Sequence, residues 1–411
     1  MNEAAVKNFI ASAAIGPDSV DAELFIRSFM AEMQKGVDKK ESSLPMIPTY
    51  VSCDRKLPLG KYAVAIDAGG TNFRTALLKF TEDGASLEQF QSYPMPGTRG
   101  KVTWQEFIGF AADCIRPLMR FTDRIGLCIS FPTEVTPERD GIICRFTKEV
   151  NIEGFEGRRV CEDLLDALDI DGAQAIVLND TTAVLLSGLV NRADPEGLIG
   201  LINGTGTNAC CILPCSRLRM GQGNMIVDIE SGSFMPPRRS ETDLYLDAHT
   251  NSPGVYPEEK LVSGAYLGEI CRLALLQAAK EGLFSALCAE KLSALEEFTT
   301  AEADGFGAGE ESGIFSSPDD ILTARMIIQA VFKRAAKHIA CILSAVIRYT
   351  EIEEGHSVVI SADGSVFRKS RLFRPALEEY VSVLAAGWPV TYMEMENSTI
   401  IGTAIGALIN E

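Results

Sequence analysis

Apolar residues recur along this chain with two periods, near two and near 3.6, and the changes of period mark its elements. Residues 1 to about 45 read as one or two polar amphipathic helices. They are broken by Pro45 and Pro48 in "LPMIPTYV", since proline lacks the N–H a helix interior needs. Residues 61–92 carry the pattern of antiparallel hairpins, with "TEDGAS" as a turn. "TWQEFIGFAADCIRPLM" has helical spacing, and "RIGLCISFP" is a short buried strand stopped by Pro132. "VCEDLLDALDI" is helical, "AQAIVLND" a strand and "TTAVLLSGLV" a helix. Strands alternating with helices imply an α/β fold with a partly parallel sheet. A second unit opens with "EGLIGLINGTGTNACCILP" and adds strands around "NMIVDIE". In "YLGEICRLALL", Tyr266, Ile270 and Leu273 share one helical face. "ILTARMIIQAVFKRAAKHIACILSAVIRYTE" predicts about eight helical turns, and "HSVVISADGSVF" a strand with a glycine tip. "AEADGFGAGEESG", acidic and glycine-rich, reads as a mobile loop.

Two stretches resemble each other. "AIDAGGTNFRTALL" from Ala65 and "LINGTGTNACCIL" from Leu201 share Gly-Thr-Asn at residues 70–72 and 206–208. The spacing is about one domain length, so the chain reads as two similar α/β units presenting glycine-tipped hairpins across a cleft. Glycine admits positive φ and close approach to the backbone. Successive N–H groups at such a tip form a concave donor surface for phosphate, to which Thr71 and Thr205 add hydroxyls. Asp67, ending a buried strand, either bonds its own backbone in an Asx-turn or faces phosphate through Mg²⁺ and its waters. The repetition favours the phosphate cradle. "GTGTNA", with Asp228 about 20 residues on, mimics a dinucleotide fingerprint, but that motif must open a helix. The following "CCILPCSRLRMGQG" contains Pro214 and no helical stripe.

Asp180 closes "AIVLND" just before a helix. Alone it reads as an N-cap. Paired with Asp67 it reads as a base that takes a proton from an attacking hydroxyl while Asp67 serves the metal, the division of labour of phosphoryl transfer to an alcohol.

Composition narrows the partners. A formal charge of −18 opposes nucleic acid and anionic membranes. The apolar run "IACILSAVI" is too short to span a bilayer. The start lacks the basic and apolar regions of a secretory signal, which makes a cytoplasmic location the expectation. The 11 cysteines include no CxxC pair and the three histidines lie far apart. That predicts reduced thiols and no zinc, and leaves acid–base work to carboxylates.

Taken in order, "IPTYV", "DAGGTNFR", "SFP", "FTKEVNIEGFEGRRV", "LNDTTAVLLSG", "GTGTNA", "IESGSF", "EEKLVSGAYLGEICR" and "ADGSVFRKS" resemble the hexokinase family in its short bacterial form. That family is part of the wider sugar-kinase, actin and heat-shock ATPase superfamily. The resemblance implies two actin-like (ribonuclease H-like) α/β domains flanking a cleft. The small one would cover 57–180, with the C-terminal helix 399–411 returning to it. The large one would cover 181–398, with the N-terminal helices 1–56. It implies Asp180 as base for the sugar's primary hydroxyl, with Asn179, Ser130, Thr147, Lys148, Asn208, Glu230 and Glu259 binding the sugar, and Lys148 also serving catalysis. For ATP it implies Asp67, Gly69, Gly70, Thr71, Asn72 and Arg74 at the first hairpin. Gly204, Thr205 and Gly206 belong to the second, and Asp363, Gly364 and Ser365 to an adenosine-side turn. Mg²⁺ would meet Asp67 and Asp180 through water.

The chain also departs from the family pattern. Ser231 follows Glu230 where Trp is usual in the long eukaryotic forms, and Asp228-Ile229 replaces Asn-Thr. Phe332-Lys333 replaces Ser-Thr before Arg334-Ala335-Ala336, which would put a phenyl ring beside the adenine. Ile400-Ile401 before Gly402 lacks the frequent basic residue.

The expected activity is direct, in-line phosphoryl transfer from Mg·ATP to a hexose, glucose first among the candidates, giving hexose 6-phosphate. A catalytically silent sugar sensor on the same scaffold is the alternative. A filament or chaperone ATPase has no need of the sugar-binding set.

Overall fold

The computed structural model describes residues 3–54, 56–82, 84–146, 150–190 and 197–409. It contains a five-stranded and a six-stranded sheet that repeat one strand order. In the first, Tyr62–Ala68 is followed on one side by Asn72–Thr81 and Gly84–Pro94, successively antiparallel. On its other side lie Arg124–Ile129 and Gln174–Leu178, both parallel. In the second, Leu198–Asn203 takes the central place. Thr207–Pro214 and Asn224–Asp228 run antiparallel on one side, and Val358–Asp363 and Val390–Met393 parallel on the other. Ile47–Pro48 adds an outer edge to this sheet. Each sheet is therefore a three-strand meander extended by two strands that return through helices, and the molecule has the two-lobed α/β architecture of the actin-like ATPases.

The strand Tyr62–Ala68 is buried over nearly its whole length, which its continuous apolar run "YAVAIDA" requires of a strand covered on both faces. What covers it holds the two sheets together. The helix Asp180–Ser187 and the C-terminal helix Ser398–Ile409 lie in a core that takes Ala63, Ala65 and Leu178 from one sheet and Leu198, Cys210 and Val359 from the other. Leu185 and Leu186 of the first helix are fully buried there, each contributing about 1.5–3 kcal/mol by leaving water. The helices cross backbone to backbone. A Cβ at Gly402 would lie 1.6 Å from the Ala183 carbonyl oxygen, so no other residue fits at that crossing. Gly126 performs the same service beneath the Thr403 carbonyl.

The helix Pro318–Tyr349 runs 32 residues, about 48 Å, and organises the core behind the six-stranded sheet. Ser317 starts it by accepting from the Asp320 N–H. Two expectations are corrected here. Thr300–Gly307, which takes in the first part of the segment read as a mobile loop, is a helix. Thr299 and Glu302 form a capping box at its start, and Ala303 and Phe306 are buried in the core, so local capping and packing override the glycine content. Phe332 lies fully buried in the same core, and its ring does not line a base pocket. None of the eleven cysteines, all among the described residues, forms a disulfide. Among the described residues no helix is long and apolar enough to cross a membrane.

Candidate active site

Both glycine tips are hairpin turns between paired antiparallel strands. This disposes of the dinucleotide motif, because the chain after Gly206 continues as a strand. At the first tip the Gly69 N–H donates to the Asn72 carbonyl at 3.0 Å, and Thr71 and Asn72 are exposed. At the second, Gly204 is buried and Thr205 exposed. The Gly264 N–H donates to the Gly204 carbonyl at 2.7 Å and the Ala265 N–H to that of Thr205 at 3.3 Å. Gly364, with φ of 110°, packs against the same tip, where a Cβ would meet the Asn203 carbonyl at 2.3 Å. The turn Asp363-Gly364-Ser365 thus adjoins the second hairpin. Asp363 itself accepts from Ser398 and from the Gly364 N–H and pairs with Arg368, so it shapes the turn.

Asp67 makes no Asx-turn. Its register partner across the ladder is Arg74, whose Nη1 lies 3.2 Å from Oδ2, and Thr399 of the C-terminal helix hydrogen-bonds it as well. Burial pushes the Asp67 carboxyl up to about 6, opposed by Arg74 and reinforced by the charge of Asp180. Negative charge here is therefore incompletely compensated, and a hydrated cation fits beside it. Among the described residues no three His, Cys, Asp or Glu side chains gather as a direct ligand set.

Asn179, and not Asp180, caps the helix: its Oδ1 accepts from the Thr181 N–H at 2.8 Å. Asp180 occupies the first helical position instead. Its charge is felt on both sides, raising Asp67 at the first hairpin and Asp228 and Glu230 beside the second.

The remaining carboxylates come from the six-stranded lobe. Glu259 starts the short helix Glu259–Val262, and its Oε2 accepts from the Thr207 N–H at 3.1 Å. A Cβ on Gly206 would strike that oxygen at 2.6 Å. Glu230 sits in the left-handed region, with φ 57° and ψ 47°. Burial raises its carboxyl well above the ordinary range, followed by the charges of Asp228, Asp180 and Glu259. Asn208 Nδ2 donates to Asp228 Oδ1 at 2.6 Å, while its Oδ1 accepts from the Ala209 and Ser231 N–H groups. Ser130 stands at the end of its strand, its N–H donating to the Ala68 carbonyl at 3.2 Å.

The structure thus gathers Asp67, Asp180, Asn208, Glu230 and Glu259 around one region, with Ser130 and the glycine tips at its borders. Thr147 and Lys148 lie outside the described residues. Asp228, Thr399 and Gly264 were not among the candidates. The spacing Asp228-x-Glu230 was the legible sign of the first, and nothing local marks the other two. Hollows of about 240 and 550 Å³, lined by Phe25, Arg334 and His338 and by Arg374, Trp388 and Tyr392, involve none of these candidates.

Comparison with known proteins identifies a family and a fold. Two family models, both described as Hexokinase, match residues 5–190 and 198–409. The human protein Hexokinase HKDC1 is 28% identical over 92% of this chain, which spans 45% of that protein. Hexokinase-1 of Saccharomyces cerevisiae is 28% identical over 96% of this chain and 90% of its own. Among solved structures, the hexokinase of Schistosoma mansoni complexed with glucose superposes with a TM-score of 0.77 at 23% identity, covering 98% of each chain. A second structure described as a hexokinase reaches 0.83 at 20% identity, covering 100% of this chain and 99% of its own.

Proposed function

The chain belongs to the hexokinase family, and from that membership we propose that it transfers the γ-phosphoryl group of ATP directly and in line to the primary hydroxyl of a hexose. Glucose, the sugar bound by the Schistosoma relative, is the first substrate to test. The observation that carries the mechanism is the capping of the helix by Asn179. Because Asn179 makes the cap, the Asp180 carboxylate, which accepts from the Thr181 hydroxyl at 3.3 Å, is the group we assign to take the proton of the attacking hydroxyl.

The chain's own residues divide the work. Asp180 accepts the proton of the attacking hydroxyl. Asn208, Glu230 and Glu259 supply the mixed donors and acceptors that a polyol needs. Ser130 and Asn179 border the sugar from the five-stranded side, with Thr147 and Lys148 assigned there by family resemblance. The N–H groups of Gly69 and Gly204 are taken up within their own turns, so the phosphate cradle is assigned to Gly70–Thr71 and Thr205–Gly206. Asp67 and Asp180 would hold a hydrated Mg²⁺ through its water shell. Such an ion would supply positive charge against the phosphate oxygens. Water competes with the sugar as nucleophile, so the lobes close on the hexose before transfer.

The test is a panel of hexoses and nucleotides with and without Mg²⁺, scored by nucleoside diphosphate release. Sugar-dependent release is expected, and sugar binding without release would make the protein a silent binder. Asp180→Ala should retain sugar affinity and lose about 10²–10⁴-fold in kcat, the usual worth of a general base. Near-normal turnover in that variant removes the base assignment.

A further inference from the structure

The hollow of about 240 Å³ takes no part in the proposed active site. It lies where the N-terminal segment meets the helix Pro318–Tyr349, and no residue assigned to sugar, nucleotide or metal lines it. Its walls differ in chemistry. Val20, Leu24, Phe25 and Pro237 are apolar, whereas Arg238, Ser240, Arg334 and His338 are polar. A cavity of about 150 Å³ admits a benzene ring, so this one has room for a ring or a branched chain together with a polar head group.

The polar wall is rigidly held. Arg334 is 3% exposed. Its Nη1 and Nη2 donate to Asp243 at 2.9 and 2.7 Å, and Nη1 also reaches the Ala14 carbonyl at 3.1 Å. Its Nε has no hydrogen-bond partner among the described residues, and a buried donor without an acceptor is costly to keep. His338, one helical turn on and equally buried, is anchored through Nδ1 to Glu258 Oε1 at 2.9 Å and meets the Phe25 ring edge-on.

The charges leave one cation over. Arg334 is compensated by Asp243. Asp21, which also lines the hollow, caps the helix Ala22–Val37 by accepting from the Leu24 N–H at 3.0 Å. The positive ends of two helices reach the hollow, Ala22–Val37 through Asp21 and Glu241–Ala248 through its cap Ser240, and they offset the Asp21 charge. Arg238 at the rim is exposed and has no ion pair or hydrogen bond among the described residues, although its neighbour Arg239 pairs with Asp247 at 3.0 Å. In a chain with a formal charge of −18, an arginine without an acid beside it is out of pattern.

We propose that this hollow binds a small organic monocarboxylate, with its apolar body against Leu24, Phe25 and Pro237 and its carboxylate on Arg238 and the Arg334 Nε–H. One unpaired cation matches the single charge of a carboxylate better than the double charge of a phosphate. The apolar wall supplies affinity by releasing water, and the two arginines supply orientation through charge-assisted hydrogen bonds. Such a ligand joins residues of the N-terminal segment to the long helix, so binding stabilises that attachment.

The inference does not depend on the hexose reading, and its test needs no turnover. The full chain, without sugar or nucleotide, is titrated in a calorimeter with benzoate, phenylacetate and 4-methylpentanoate. Each is set beside its own amide as the uncharged control, with acetate and inorganic phosphate as anions lacking the apolar body. The expected result is saturable binding of at least one of the three acids with a Kd of about 1 mM. Its amide and acetate should bind at least about tenfold more weakly, and 10 mM of the acid should raise the melting temperature by about 1–3 °C. Arg238→Gln alters an exposed side chain that holds nothing else, and should weaken the acid about tenfold while leaving the amide unchanged. Leu24→Glu, at a position 43% exposed, places a like charge at the mouth and should abolish binding. Absence of saturable binding by all three acids overturns the inference, as does an amide that binds as tightly as its acid. Tighter binding of phosphate than of the acids overturns the ligand class. Binding indifferent to both variants, or displaced by saturating glucose, places the ligand elsewhere and overturns the site.

Discussion

The two glycine-tipped hairpins share a sequence signature and a strand order, yet they are built to different tolerances. At the first tip a Cβ on Gly69 would meet the Asn72 carbonyl at 3.5 Å, an ordinary contact. At the second, a Cβ on Gly204 would meet Gly364 and Ser365 backbone at 3.1 Å, and one on Gly206 would strike Glu259. The second tip is also tied down by Gly264 and Ala265. Glycine at 204 and 206 is thus required by the fold whether or not a ligand binds. Glycine at 69 is not, and space left at a hairpin tip with no packing reason points to something that enters it. Similar motifs in one chain can therefore be kept for different physical reasons, packing at one tip and, on the proposed function, a ligand at the other.

Three experiments would break or sharpen that contrast. Asp67→Asn, at the open hairpin, should have the largest effect: turnover falls about 10²–10³-fold, as when one preorganised charge-stabilising group is lost. The same change should stabilise the ligand-free protein at neutral pH. The folded carboxyl titrates near 6 against an ordinary value of 3.8, so ionising it costs more in the fold than in the unfolded chain. Its favourable contribution is complete below the ordinary value and lost as pH rises through 6. The variant's gain should be about 2–3 kcal/mol at pH 7 and vanish near pH 4, read from denaturant midpoints. A variant no more stable than the parent at pH 7 would mean that Asp67 carries no such strain.

Gly364→Ala comes next. Its positive φ and the 2.3 Å approach to Asn203 leave no room for a methyl, so the packed hairpin should lose about 2–4 kcal/mol of stability along with activity. The smallest effect is expected for Gly69→Ala. The melting temperature should hold within about 2 °C, while KM for ATP rises about tenfold as the added methyl takes up space at the tip, a cost of about 1–2 kcal/mol. A fall in stability comparable to that of Gly364→Ala would erase the contrast between the hairpins.

Much of this organisation was legible before any coordinates. Period-two and period-3.6 runs located the hairpins and the long helices, and Asp67, Asp180 and the glycine tips stood out because turns and strand ends have local chemistry. What escaped depends on partners far along the chain. Nothing near Val358 says that it pairs beside Leu198. Nothing near Thr399 says that it reaches Asp67. The segment after Thr299 was misread because glycine and acid content outweighed a capping box, Thr299 with Glu302, that was present in the letters. Phe332 was misjudged because a family motif gives the position of a side chain along a helix but not what packs upon it. Asp180 was ambiguous on its own, and the capping of its helix by the preceding Asn179 is a one-residue distinction that spacing does not resolve.

At Gly402 the C-terminal helix touches the Ala183 backbone with no side chain in between. Such a joint has no padding to compress and no rotamers to rearrange. It lies about one helical turn along from Asp180, so the carboxylate proposed as the base rides on a helix that the C-terminal helix holds by direct backbone contact.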